Sequence, residues 1–194
     1  MVGEAVRAFE TDLGCVVEEA HPGFDDSYGA FWGLVALESD LTGLRAMVAE
    51  HGHHMTPHLV EFITRPWTAE DFTSAVMKRK AVTNRMWRFM RTYDVLLTPT
   101  LAVPPFALHI QGVEKIDGRI VQPFQWLAFT FPLNMTGQPA ATVPAGFTRD
   151  GLPVGLQIIG RHLDDALVLR ASAAFEQARP WADQWPALLT EKGL

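Results

Sequence analysis

Three short apolar runs constrain the fold of this chain more than any other feature. They occupy residues 94–98 (DVLLT), 140–143 (AATV) and 154–159 (VGLQII). Apolar and polar residues do not alternate along them, which is typical of strands that are covered on both faces of a sheet. The sequence therefore predicts one sheet that contains all three segments. Pro99 is expected to end the first strand, because proline has no amide proton to donate to a central ladder.

Turn signals in the same part of the chain predict how these strands connect. Asp150-Gly151 lies between the second and third runs, and this dipeptide tolerates the positive φ that a tight hairpin requires. Residues 140–143 and 154–159 are therefore expected to be antiparallel neighbours. The same dipeptide at 117–118 predicts a second, smaller hairpin between short apolar segments.

Apolar residues at helical spacing predict helices on either side of these strands. The first helix is expected over residues 4–13 and is followed by a short predicted strand at 15–17. The strongest helix is predicted over residues 68–92, where Thr68 and Asp71 match a capping box with Asp in place of Glu. We interpret the many Lys and Arg residues of this helix as a solvated face.

The remaining helices are weaker predictions. They are residues 28–48 with a break near 40–42, a short helix that begins at Pro57, residues 126–135 ending near Pro132, and a last helix that Asp164 caps. Proline suits a first helical position, and aspartate is a common N-cap. The tail tryptophans Trp181 and Trp185 are expected to pack back on the core.

Composition and charge exclude several classes of protein. Of the 194 residues, 48% are hydrophobic and 20% are charged, which suits one domain with its own core. A net charge of −6 without a basic stripe argues against nucleic-acid binding. No apolar run approaches the ~18 residues of a membrane span, and the N-terminal residues do not resemble a signal peptide. The single cysteine excludes an internal disulfide, and we expect a cytoplasmic location.

Three blocks of sequence resemble one known family in both order and spacing. They are DVLLTPT (94–100), PLNMTGQPAATVPAGF (132–147) and GLPVGLQIIGR (151–161). These blocks are similar to the C-terminal part of amidase-signature hydrolases, which include bacterial amidases and the amidase subunit of tRNA-dependent amidotransferases. The resemblance implies an α/β fold with a mixed β-sheet covered by helices. It implies that residues 1–194 form a single domain, the C-terminal lobe of the amidase-signature fold without the N-terminal catalytic half.

The resemblance also implies a chemistry whose catalytic residues this chain lacks. The family cleaves carboxamide C–N bonds through an acyl-enzyme, using a serine nucleophile, a second serine linked to it and a lysine as the base. The serines and lysines of this chain are Ser27, Ser39, Ser74, Ser172, Lys78, Lys80, Lys115 and Lys192. The serines are isolated, and none of the lysines lies in an apolar segment where burial would lower its pKa. We therefore assign no catalytic residue, expect no cofactor and expect the isolated chain to be inactive.

The resemblance implies that this chain contributes part of the substrate pocket. The family's motifs place substrate-binding residues at Thr98, Pro99, Thr100, Asn134, Thr136 and Gln157, and the aromatic residue Phe131 is suited to lining an apolar part of the same pocket. Several have a structural alternative. Asn134 is suited to fixing its own loop through hydrogen bonds to the backbone. Pro99 serves to end a strand, and Phe131 serves as a core aromatic residue.

Other polar clusters are interpreted as structural. The sequence HGHHMTPH at 51–58 carries four histidines, and imidazole is the commonest metal ligand. No Asp, Glu or Cys stands at ligand spacing among them, so we interpret residues 51–54 as part of a surface loop and expect no metal. Glu18 and Glu19 are adjacent on a predicted strand and point to opposite sides, so they are not a catalytic pair.

Three hypotheses about function remain open at this point. The chain is the C-terminal portion of an amidase that takes a small-molecule amide, a non-catalytic binding or scaffold lobe, or a component of a split amidase or amidotransferase. The first predicted helix lacks a preceding strand, so we expect a sheet edge and the pocket wall to face solvent. Such surfaces tend to be covered, and the expected partner is a second copy or a complementary catalytic chain. We expect neither a nucleic-acid nor a membrane partner.

Overall fold

The computed structural model describes residues 1–184, which contain seven α-helices and five strands. In chain order they are α1 (Val2–Thr11), α2 (Tyr28–Leu37), α3 (Leu41–His51), α4 (Pro57–Thr64), α5 (Ala69–Phe89), β1 (Leu96–Pro99), β2 (Lys115–Ile116), β3 (Arg119–Ile120), α6 (Phe131–Thr136), β4 (Ala140–Phe147), β5 (Pro153–Ile159) and α7 (Asp165–Ala178). Short 3-10 turns lie at Gly52–His54 and Gln125–Leu127.

The three apolar runs form one antiparallel sheet in the order β1-β5-β4, which confirms their predicted pairing. On the central strand β5, Gln157 stands opposite both Thr98 of β1 and Thr142 of β4. The β4–β5 turn places Gly151 at a φ of +76°, where glycine is favoured, and its amide donates to the carbonyl of Thr148. The smaller predicted hairpin is present as β2 and β3.

One face of this sheet is covered by α1 and α7. Phe9 of α1 and Phe175 of α7 stack with their ring centroids 5.4 Å apart. Leu156 and Ile158 of β5 belong to the same core, and neither is accessible to solvent. Burial of each such side chain contributes about 1.5–3 kcal/mol relative to an exposed position. The core on this face fixes the direction in which alternate residues of β5 point.

The opposite face is covered at one end by α5 and α6. Ile159 of β5 and Leu96 of β1 pack there with Met86 and Leu133 from the two helices. The sheet therefore lies between two layers of helices, as expected for the α/β fold. Gln157, two residues before Ile159, lies on the same face of β5, so the apolar layer is followed by polar residues along this face.

The long helix α5 begins at the predicted capping box. The hydroxyl of Thr68 accepts from the amide of Asp71 at 3.1 Å, and the Asp71 carboxylate accepts from the Thr68 amide at 2.9 Å. Helix α2 crosses α5 at Gly33, where a Cβ atom would lie 2.8 Å from the Cβ of Ala75. This close approach requires glycine. Among residues 1–184, no helix combines the length and the apolar character that crossing a membrane demands.

Three further predictions are confirmed, two about helix boundaries and one about the tail. The side chain of Asp40 accepts from the amide of Gly43 and begins α3, so residues 28–48 are broken into two helices near the expected position. Asp164 caps α7 in the same way, through the amide of Leu167. Trp181 packs against the core, with its ring centroid 6.2 Å from that of Phe175. Trp185 lies outside the described residues.

The strand predicted at residues 15–17 is wrong. This segment has no regular structure, and Val16 is 97% exposed. None of the five strands found in the described part of the chain pairs with it. A strand depends on a neighbour for its ladder hydrogen bonds, and a short β-rich sequence alone does not supply that neighbour.

The predictions at Pro132 and at the histidine-rich segment need correction, whereas Pro99 ends β1 as expected. The helix predicted over residues 126–135 is divided, and Pro132 lies in the first turn of α6 instead of near a helix end. Proline is tolerated there because the first helical amides have no intrahelical acceptor. Pro99 is the last residue of β1, an edge position that also accepts proline. Residues 51–54 complete α3 and a 3-10 turn instead of forming a loop.

Candidate functional site

A row of polar residues crosses the sheet on the face that α5 and α6 cover only in part. Thr98, Gln157 and Thr142 are opposite one another on the three strands. Gln157 is only 4% exposed, and its Nε2 donates to the hydroxyl of Thr98 at 3.0 Å. A buried amide must find hydrogen-bond partners, so this contact fixes both side chains.

Thr100 extends the polar row beyond the end of β1. Its amide donates to the carbonyl of Gly155 at 3.1 Å, and its hydroxyl lies 3.3 Å from that of Thr142. A Cβ atom on Gly155 would approach the Thr100 hydroxyl to 2.6 Å, so only glycine leaves room for this arrangement. Thr100 is therefore directed across the sheet towards β4.

An open cleft of about 700 Å³ begins where the polar row meets the edge strand. Thr98 and Pro99 of β1 form one side, and Phe129 and Phe131 form another. The third side is the segment 19–27, which precedes α2. The cleft thus combines an apolar, partly aromatic lining with a few polar groups, as is usual for sites that bind small molecules.

Basic residues of α5 fix the third side of the cleft. Arg85 donates to the carbonyl of Gly23 and, at 2.9 Å, to the carboxylate of Asp25, and Lys78 lies 3.5 Å from the same carboxylate. The hydrogen bond and charge of Arg85, together with the charge of Lys78, hold the pKa of Asp25 below its usual value. The prediction of a simple solvated face on this helix is therefore incomplete, because these side chains attach a loop to it.

Aromatic residues support the second side of the cleft. Phe131 is 5% exposed and stacks on Phe31 at 5.3 Å, with Tyr28 edge-on at 6.3 Å. The hydroxyl of Tyr28 donates to the carbonyl of Pro123, and burial raises the pKa of this phenol. Phe129 is more open, at 36% exposed, and is better placed for contact with a ligand.

Asn134 and Thr136 lie away from the cleft. Thr136 is buried, and its hydroxyl hydrogen bonds to the carbonyl of Leu133 within α6. Asn134 is exposed in a separate shallow depression beside Asn84 and Trp87 of α5. The structure thus brings Thr98, Pro99, Phe131 and Gln157 together and directs Thr100 towards β4. It leaves Asn134 on a different surface and Thr136 buried within α6.

The residues after α6 are fixed by a contact from the β5–α7 loop. Gly137 ends α6 at a φ of +74°, with its amide bonded to Leu133, in the usual position of a C-terminal glycine. The imidazole Nδ1 of His162 lies 3.0 Å from the Gly137 carbonyl, and the amide of Gly160 donates to Pro139. The conformation of residues 137–139 is therefore set by backbone geometry and by hydrogen bonds to backbone carbonyls.

Phe129, Phe24 and the acidic segment before α2 were not among the predicted site residues. Local sequence offers a signal only for Phe129, in the aromatic-rich stretch before Pro132. Phe24 and Asp25 line the cleft because Arg85 of α5 binds their loop and holds it beside β1. The sequence does not indicate this contact.

The polar clusters weighed as catalytic or metal-binding have structural contacts. The hydroxyls of Ser39 and Ser172 donate to carbonyls four residues earlier in their own helices. In the part of the chain that the structure describes, no three His, Cys, Asp or Glu residues converge in a way that would hold a metal ion. His58 packs edge-on against Phe124, and His53 lies against His54.

Comparison with known proteins relates this fold to amide-hydrolysing enzymes. The chain is 41% identical over 196 residues to an acylamidase of Rhodococcus erythropolis, a match that covers 95% of this chain and 39% of the relative. It is 37% identical over 117 residues to one of the subunits of the glutamyl-tRNA(Gln) amidotransferase of Thermodesulfovibrio yellowstonii, covering 60% of this chain and 23% of that protein. The chain therefore spans less than half the length of these relatives.

Solved structures give the same result. A bacterial aryl acylamidase of the amidase-signature enzymes superposes with a TM-score of 0.82 at 31% identity, over 93% of this chain and 40% of the other. A profile of the Amidase family matches residues 47–169, which are more than half of the chain and include β1, α6, β4 and β5. The chain belongs to the amidase family.

Proposed function

We propose that this chain is the C-terminal portion of an amidase-family hydrolase that cleaves non-peptide carboxamide bonds. The chemistry would follow the Ser-Ser-Lys acyl-enzyme mechanism that the family resemblance implies. The observation that carries this proposal is the cleft beside β1, where Thr98 and Pro99 of one family sequence block meet Phe131, which directly precedes another block, around one cavity. A cytoplasmic location remains a prediction from composition.

In this proposal the chain supplies the sheet and part of the substrate pocket. Thr98 offers a polar atom at the inner end of the cleft, and Phe129 and Phe131 offer apolar surface. This combination favours a small amide with an apolar acyl or aryl group, because aromatic walls bind such groups and a few polar atoms orient them. Two of the similar proteins are an acylamidase and an aryl acylamidase, which supports this substrate class.

A serine nucleophile with its lysine base must come from elsewhere in the enzyme. We propose a complementary catalytic portion, and a groove at the edge of the sheet supports this. The groove, of about 350 Å³, lies between the irregular segment 15–20 and the residues Val95, Leu96 and Leu97 at the edge strand. Within the described residues, β1 is paired on one side alone, so its other side is free to add a strand.

A chimera tests this function directly. The chain would replace the matching portion of the Rhodococcus erythropolis acylamidase, and hydrolysis of an anilide would be followed. We expect the isolated chain to be inactive and the chimera to hydrolyse the anilide. Hydrolysis by the isolated chain that disappears in Ser74→Ala or Ser172→Ala would overturn the proposal, because the nucleophile would then lie in this chain.

The state of the isolated chain provides a second test. Light scattering coupled to size exclusion at micromolar concentration should show a homodimer or larger species, and a hydrophobic dye should bind any monomer. The physical reason is that exposed strand edges and exposed apolar surfaces tend to associate, and association covers them. A clean monomer that binds no dye, together with an inactive chimera, would favour a non-catalytic binding lobe instead.

A further inference from the structure

We propose that Gln157 is a positioning residue that sets the shape of the cleft by holding the backbone of Phe129. This inference rests on the proposed function for its meaning, because it concerns the wall of the proposed substrate pocket. Nε2 of Gln157 donates to the carbonyl of Phe129 at 3.0 Å, in addition to the Thr98 hydroxyl at the same distance. Gln157 then acts on a ligand through Phe129.

The position of Gln157 in the sheet makes it a rigid anchor. It lies on β5, the central strand, with β1 and β4 hydrogen bonded on either side. Its neighbours Leu156 and Ile158 are fully buried in the core under α1 and α7. The side chain at 4% exposure is confined to a narrow set of conformations, so the point from which it donates is fixed.

The backbone amides of the segment that it holds are not hydrogen bonded to the sheet. Residues 128–130 connect the 3-10 turn at Gln125–Leu127 to α6, and their amide hydrogen bonds are local. The amide of Ala128 donates to Gln125, that of Thr130 donates to Leu127, and that of Leu133 donates to Thr130. The bond from Gln157 spans 28 residues and ties this local structure to the sheet.

The consequence is a direct link between the sheet and the ligand-facing side of the cleft. Phe129 is partly exposed at the cleft, and Phe131 follows two residues later with its ring packed against α2. Loss of the Gln157 contact leaves the Phe129 carbonyl without its donor from the sheet, and the segment is then free to move while the sheet stays formed. Specificity for the apolar group of a ligand therefore depends on Gln157, which lies behind Phe129 and does not contact the ligand itself.

Hydrogen exchange measured by mass spectrometry on the whole 194-residue chain tests this assignment, with no substrate required. Gln157→Met keeps the side-chain volume and removes the donor. We expect the amides of Thr130 and Leu133 to exchange about tenfold faster in this variant, while β4 and β5 keep their protection. Gln177→Met, at an exposed position of α7, is the matched control and should change neither region.

Two results would overturn the proposal. Unchanged exchange at residues 128–133 would show that the contact does not hold the segment. Equal acceleration across β1, β4 and β5 would show that Gln157 serves the stability of the sheet in general. Neither result bears on amide hydrolysis, and an inactive chimera would leave this test unaffected, so the two proposals fail separately.

Gln157→Glu adds a pH profile, in which exchange at residues 128–133 is compared with exchange in β4 and β5, because a buried charge also destabilises the sheet in general. An ionised carboxylate cannot donate to the Phe129 carbonyl, whereas a protonated carboxyl group can, and burial raises the pKa of such a group. Relative to the wild-type chain at each pH, the excess exchange at residues 128–133 should therefore shrink as the pH falls through that raised pKa. An excess that is independent of pH between about 4 and 8 would contradict the assignment.

Discussion

Nε of Arg161, two residues after β5, donates a hydrogen bond of 3.1 Å to the carbonyl of Met90, the C-cap residue of α5. The last carbonyls of a helix have no intrahelical donor, so a side chain from another element satisfies one here. The same guanidinium reaches the carbonyl of Tyr93 at 3.4 Å and the carboxylate of Asp94 at 2.6 Å. One arginine thus joins the end of α5 and the start of β1 to β5.

Arg161→Met should destabilise the chain by about 1–2 kcal/mol, since a charged donor to backbone carbonyls is lost. The ion pair with Asp94 is exposed and contributes little of this, because water screens it. Chemical denaturation followed by circular dichroism measures the change. Arg170→Met, on the exposed side of α7, is the control and should leave the midpoint almost unchanged, whereas equal effects of both variants would contradict the role of Arg161.

The attachment of the cleft loop to α5 should depend on pH through Asp25. Its pKa lies below the usual 3.8 because Arg85 and Lys78 favour the ionised form. A lowered carboxyl pKa contributes stability that is present above pH 3.8 and is lost as the pH falls through the lowered value. The wild-type chain should therefore be more stable than Asp25→Asn above that pH, and this difference in stability should disappear below it.

Unfolding midpoints in denaturant between about pH 2 and 7 measure this difference. It should be small and constant above about pH 5, and it should decrease in about 1 M salt, which screens exposed charges. Asp150→Asn, in the exposed β4–β5 turn, serves as the control carboxylate. A difference that grows on acidification would show that the sign of the linkage is wrong.

Removal of the α5 cap should destabilise the chain measurably. Thr68→Ala deletes the hydroxyl that accepts from the amide of residue 71, and such a loss typically costs about 1 kcal/mol. Thr73→Ala, inside the same helix, is the matched control. Its hydroxyl bonds to the Ala69 carbonyl, and alanine is the better helix former, so this variant should be neutral or slightly more stable. Equal losses in the two variants would refute a specific cap.

Gly155→Ala should disturb the polar row. The added Cβ would lie 2.6 Å from the hydroxyl of Thr100 and 2.7 Å from Cγ2 of Thr142, and overpacking of this kind costs about 1–3 kcal/mol. Adding Thr100→Ala and Thr142→Ser removes both colliding atoms and should restore part of the lost stability. Gly29→Ala, where no atom lies within 4 Å of the new Cβ, should not be destabilising. A triple variant no more stable than Gly155→Ala would exclude the steric explanation.

Much of the fold is predictable because its determinants are local. The turn at Asp150-Gly151 sets the antiparallel pairing of β4 and β5, and three apolar runs identify the strands of the sheet. One of the errors occurs where a residue type has two roles. Pro132 is read as a helix end but begins α6, because proline fits both positions and sequence does not distinguish them.

The candidate site was predicted in part. Thr98 and Pro99 belong to a block of sequence that the family shares, Phe131 directly precedes another, and the structure places all three at one cleft. Asn134 and Thr136 belong to the same blocks and lie elsewhere. On a short helix, adjacent residues point in different directions, and the choice between cleft and core depends on how α6 packs against α5.

The sequence by itself determined the strands, the principal turns, the cap of α5 and the family. Each depends on residues close together in the chain, whose backbone preferences and hydrogen bonds act locally. Only the tertiary structure decided that Gln157 holds Phe129 across 28 residues and that Arg161 reaches Met90 across 71. These contacts exist because packing of α1 and α7 on one face of the sheet, and of α5 and α6 on the other, fixes the direction of each side chain.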